Sequence, residues 1–183
     1  MKKKYVISAA LLLLLCASLY AQKDFFELVA TGTSARVLEA IREGANATDG
    51  DRLGVTPLMA AAARNPDPAV LGLLLAAGAH VAGRDAMEET PLMYASHSNP
   101  SVAVIRSLIE AGANVNDRDF FGNTPLMIAA QFATNPEVIS LLLHAGADTA
   151  PINTDGKTAL VLAGANAHLK GTAALEELAR THR

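Results

Sequence analysis

The chain has 183 residues, room for one domain of ordinary size. It is 51% apolar but only 4% aromatic, with no Trp and a single Cys, so neither an internal disulfide nor a cysteine-built zinc site can form. The apolar share is mostly Ala and Leu, which favours helices over sheets, and 15 basic against 18 acidic residues leave the chain slightly acidic.

At the start, Lys2, Lys3 and Lys4 precede an uncharged run from Tyr5 to Ala21 that contains Leu11 through Leu15. Basic, then apolar, then small residues is the order of an export signal, here over residues 1–21. Cleavage after Ala21 would leave the large Leu19 three residues back, whereas cleavage after Ser18 puts Cys16 and Ser18 at the two small positions. Two alternatives stay open beside removal. Leu13-Leu14-Leu15-Cys16 hints at lipid attachment, although Leu15 stands where a small residue is usual, and residues 5–21 are just long enough for a retained anchor. The expected location is a bacterial periplasm, with onward secretion or membrane anchoring as alternatives. Removing the three lysines leaves 12 of the 15 basic residues against 18 acids, a net charge of −6. That balance argues against a nucleic-acid surface.

The remainder repeats. Thr56-Pro57-Leu58-Met59, Thr90-Pro91-Leu92-Met93 and Thr124-Pro125-Leu126-Met127 stand 34 residues apart, and Thr158-Ala159-Leu160-Val161 continues the step. Glu43-Gly44-Ala45, Ala77-Gly78-Ala79, Ala111-Gly112-Ala113 and Ala145-Gly146-Ala147 keep the same step, so the chain reads as a stacked array. Within a unit, Thr caps a helix whose first turn accepts Pro. An Ala-rich helix follows, and Asn65-Pro66, Asn99-Pro100 or Asn135-Pro136 breaks it. A second helix carries Val70, Leu74 and Leu75, matched by Val104, Leu108 and Ile109 and by Val138, Leu142 and Leu143. Gly78, Gly112 and Gly146 end it, and a polar loop leads to the next Thr.

These residues make the chain resemble an ankyrin-repeat protein, whose signature is Thr-Pro-Leu-His-x-Ala. The resemblance covers residues 22–183. It implies an all-α solenoid of stacked helix-turn-helix units with protruding loops: an N-terminal cap over 22–51, full repeats over 52–85, 86–119 and 120–153, and a C-terminal cap over 154–183. Three departures stand out. The extra residue per repeat falls between the helices, at Asn-Pro. Met59, Met93 and Met127 replace the signature His, with loss of the hydrogen bonds it makes between repeats and of some rigidity. Gly54, Gly122 and Gly156 stand two residues before their Thr, but Glu88 holds that place in the unit between, so strain and a differently shaped loop are expected there.

No catalytic or cofactor constellation is legible. His80, His97, His144, His168 and His182 have no second ligand at metal spacing, and there is no phosphate loop or nucleophile elbow. Asp49-Gly50-Asp51 lacks the further carboxylates of a calcium loop. Asp51, Asp85 and Asp119 recur five residues before each Thr and read as turn formers. An enzyme would need His97 to meet carboxylates from the loops.

The resemblance implies that a partner protein docks in a concave groove lined by first helices and loops. The outward first-helix positions are then Ala60, Ala63 and Arg64; Tyr94, His97 and Ser98; Ile128, Gln131 and Phe132. The loop tips are Leu53, Met87 and Phe121. Of the eight aromatic residues, Tyr94, Phe120, Phe121 and Phe132 map to this groove in adjacent repeats. Aromatic side chains carry contact area at low entropic cost, and the expected contact residues are Leu53, Met87, Tyr94, His97, Phe121, Ile128 and Phe132. The methionine column reads as filler between repeats. The expected function is therefore an exported, non-catalytic protein-interaction module with no cofactor, metal or small-molecule substrate. The alternative is a scaffold tethered through Cys16 or residues 5–21.

Overall fold

The computed structural model describes residues 24–99 and 101–182. The export signal expected over residues 1–21, with its expected cleavage site and Cys16, lies outside the described residues. Among those residues there are ten helices and no strand. The inner helices are α1 (24–31), α3 (Pro57–Arg64), α5 (Pro91–Ser98), α7 (Pro125–Phe132) and α9 (Ala159–Ala165). They alternate with the outer helices α2 (Ser34–Arg42), α4 (Pro68–Ala76), α6 (Val102–Glu110), α8 (Glu137–His144) and α10 (Ala173–Thr181). From α3 on, each inner helix packs on the next inner one, and outer helices pack likewise from α2 to α10, which makes a one-dimensional stack.

The helix starts follow from the sequence. Thr56, Thr90, Thr124 and Thr158 are N-caps whose hydroxyls accept the N–H three residues on, at 3.3–3.4 Å. Pro57, Pro91 and Pro125 occupy the first turn, where no donor is needed. The outer-helix stripe differs by one position. Leu71, Ile105 and Ile139 are fully buried beside Val70, Val104 and Val138, while Leu75, Ile109 and Leu143 are only partly buried. Helix α4 is apolar nearly all round, so its spacing alone could not choose the buried side.

The inter-helix breaks also need correction. Helices α3 and α5 end at Asn65 and Asn99, as expected, but α7 ends at Ala133, and Asn135-Pro136 comes afterwards as the lead into α8. Asn65 and Asn99 do more than break the chain. The Asn65 amide donates to the carbonyls of Val29 and Gly32, both at 2.9 Å. Asn99 donates to Ala62 and Asn65 at 2.9 and 2.8 Å, and Asn166 to Ala130 and Ala133 at 3.2 and 3.0 Å. All three asparagines are buried. Each amide therefore satisfies open carbonyls at the end of the preceding inner helix, where no intrahelical donor remains. These asparagines supply part of the hydrogen bonding between repeats that the methionines do not.

The loops are built alike. One carboxylate oxygen of Asp51 accepts the N–H groups of Leu53 and Val55 at 2.8 and 3.0 Å; Asp85 and Asp119 do the same two and four residues on, as does the amide oxygen of Asn153. The turn-forming role read from the sequence is what these residues perform. Neighbouring loops are joined by the N–H groups of Ala86, Phe120 and Thr154, which donate to the carbonyls of Leu53, Met87 and Phe121 at 2.8–2.9 Å. Arg84 and Arg118 add a second tie. Each donates to a carbonyl in its own loop and to one in the next, at Arg118 and Ile152 respectively.

Glu88 takes φ 62°, against 78°, 75° and 72° at Gly54, Gly122 and Gly156. The strained backbone expected there is present, but the loop is not reshaped, because Glu88 and Asp85 make the same turn bonds as their counterparts. A left-handed residue with a Cβ costs about 1–2 kcal/mol, offset in part by the greater freedom of an unfolded glycine, about 0.5–1 kcal/mol. Glu88→Gly is therefore expected to stabilise the fold by about 0.5–1 kcal/mol, read as a higher midpoint in thermal unfolding.

Candidate partner-binding face

The loops lie over the inner helices, and Tyr94 shows how. Its hydroxyl, on α5, donates to the Asp85 carboxylate in the loop at 2.8 Å. Burial and that bond push the phenol well above its ordinary range, with Asp85, Glu89 and Asp51 adding charge repulsion. Inner helices and loops thus form one continuous surface, and Tyr94 sits half-buried in its corner.

Three of the expected contact residues stand clear of the core at the loop tips: Leu53, Met87 and Phe121. Phe120, at 68% exposure, is packed edge-on against Phe121 with ring centroids 5.4 Å apart. Phe132 and His97 are exposed on adjacent inner helices and lie against each other at 4.4 Å. Among the described residues no ion pair joins His97 to a carboxylate. Ile128 is a correction. It lies on α7 and is only 5% exposed, so it is buried where an open contact residue was expected. Its counterparts in the preceding repeats are Ala60 and Tyr94, which stay partly open, so the register alone did not decide its burial.

Two features were missed in the sequence. At the N-terminal end of the same face is a depression of about 510 Å³, lined by Ala30, Ala60 and Ala63 together with Phe26, Tyr94 and Asp24. It exists because repeat 52–85 has Ala60 and Ala63 where the next repeat has Tyr94 and His97. Arg64 and Glu27 pair across its rim at 3.1 Å, an exposed contact of little energetic weight. The second feature is Glu89, which occupies the place held by Val55, Asn123 and Lys157 in the other loops. Partial burial raises its carboxyl above the usual range, and the nearby charges of Asp85 and Asp119 raise it further. No basic side chain pairs with it among the described residues.

Glu89 gives a pH-dependent expectation. An acid whose pKa is raised on folding stabilises the native state when protonated, and that contribution is lost as pH rises through the folded pKa. Glu89→Gln is therefore expected to be more stable than the parent at neutral pH. The difference should shrink toward the acidic range where Glu89 is protonated, as measured by urea midpoints across pH.

A family model described as ankyrin repeats (3 copies) matches residues 25–119 and 100–179. The chain belongs to the ankyrin-repeat family. No curated protein matched it. Ankyrin repeats generally mediate protein–protein interaction and are typically not catalytic. Among the described residues no three His, Cys, Asp or Glu side chains gather as they would around a metal. No helix of the ankyrin array is long and apolar enough to cross a membrane, again among the described residues.

Proposed function

We propose that the chain is an exported, non-catalytic module that binds a partner protein through the inner helices and loop tips of its ankyrin array. The observation that carries this reading is the exposure of two aromatic ring pairs, Phe120–Phe121 and His97–Phe132, on adjacent repeats. Large rings left this exposed in pairs contribute less to the core than buried ones, and they suit a partner's surface. The acidic balance of the mature chain argues against nucleic acid as the partner.

The test is co-purification of partners on the tagged mature chain from envelope and soluble extracts, beside a folded variant carrying Tyr94→Ala, Phe121→Ala and Phe132→Ala. A protein captured by the parent and lost by the variant supports the reading. One captured equally by both moves the site elsewhere. Export rests on the basic–apolar–small order of residues 1–21, and periplasmic residence is the proposed consequence. Intact mass of the mature chain checks it: a start near residue 19 or 22 supports removal, and a mass increment on Cys16 or a retained leader supports a tether.

A further inference from the structure

The alanine-lined depression and the unpaired acid meet at one residue. Tyr94 is a wall of the depression, and its hydroxyl end lies among Asp85, Glu89 and Asp51. The depression is mostly apolar, lined by Phe26, Tyr94 and three alanines with Asp24 beside them, and its cation, Arg64, is already held by Glu27. Beyond Tyr94 the face is acidic. Asp85 and Asp119 spend one carboxylate oxygen each on their turns and the other on Tyr94 and Asn123, whereas Glu89 has no such role. A half-buried acid between two others, with no internal partner, disfavours the free fold and is relieved by a cation from outside.

Resting on the inner-face reading above, we propose that the docked partner segment places a large apolar side chain in the Ala60–Ala63 depression and a Lys or Arg side chain on Glu89. The depression has room for such a side chain, and the acid near Tyr94 selects a basic neighbour by charge complementarity. Glu89 then sets specificity at a cost in stability of the free array.

The experiment selects a random dodecapeptide library, displayed on phage, against the full-length chain. Enriched peptides are expected to combine an aromatic or long aliphatic residue with Lys or Arg. Their binding to Glu89→Gln or Ala63→Leu is expected to fall about tenfold or more, as for a partly desolvated contact. Binding to Glu110→Gln, an acid on the outer face, should not change. Glu89→Gln is the variant expected to fold more stably, so weaker binding there cannot be ascribed to unfolding.

Peptides without basic residues, or indifferent to both substitutions yet lost with Phe121→Ala and Phe132→Ala, would overturn this inference and leave the inner-face reading standing. Failure to enrich any peptide would overturn it too. Peptides unaffected by all four inner-face substitutions but lost with Arg106→Ala or His144→Ala, which line a depression on the outer helices, would overturn both readings.

Discussion

Asn99→Ala is expected to cost about 3–4 kcal/mol, because it removes two buried hydrogen bonds and leaves two carbonyls without a donor in a place water cannot easily reach. Those carbonyls belong to Ala62 and Asn65, at the open end of α3 in the preceding repeat. The same side chain accepts the N–H of Ser101 at 2.9 Å, so the entry to α6 loses its turn as well. Asn99→Asp is expected to be worse, since a carboxylate would face two carbonyl oxygens. Asn114→Ala is the control. Asn114 is exposed, its bonds stay within its own loop, and its loss is expected to stay within about 0.5 kcal/mol. Urea unfolding of the three variants reads these differences directly. Because stability in a stack is a sum over units and their interfaces, the lost clamp is also expected to broaden the transition by uncoupling the repeats on either side.

Met93→Ala and Val161→Ala form the second test, in one column of the array but at different places in the stack. Met59, Met93, Met127 and Val161 occupy one column, three residues after each capping Thr. The methionines are sealed, with Met127 only 1% exposed, because the next inner helix covers them. Val161 is 59% exposed, on the last inner helix of the array. Truncating Met93 removes a fully buried side chain and leaves a cavity, at an expected cost of about 3 kcal/mol. For a domain of this size that lowers the melting midpoint by about 6–12 °C. Val161→Ala, in the same column, is expected to change stability by less than about 0.5 kcal/mol. Thermal melts of the pair check both values, and equal effects would mean that the column is not sealed by the following repeat.

Much of the array is legible in the sequence because its determinants are local. A capping Thr, a Pro in the first turn, a Gly after the outer helix and an Asp five residues before the Thr each act on backbone within a few residues. Repeated at one step, they set the helices and the shape of the loops. Even the strain at Glu88 could be expected, since one column required a left-handed residue and one member was not Gly. The aromatic residues of the face were legible for a related reason: the chain has few, and the register placed four of them on its inner side.

What the sequence by itself determined, then, is the repeat, its helices, its caps and its turns, all set by short-range chemistry and counted by a fixed period. The tertiary structure decided which member of each column is covered. Ile128 is sealed where Tyr94 stays half open, and Met127 is sealed where Val161 is not. It also turned Asn65, Asn99 and Asn166 from chain breakers into clamps, and it joined Ala60 and Ala63 to Phe26 and Tyr94 as one depression. Burial and these bonds belong to pairs of repeats more than thirty residues apart. No single repeat contains them, because a side chain is buried or bonded only by the neighbour that the stack sets against it.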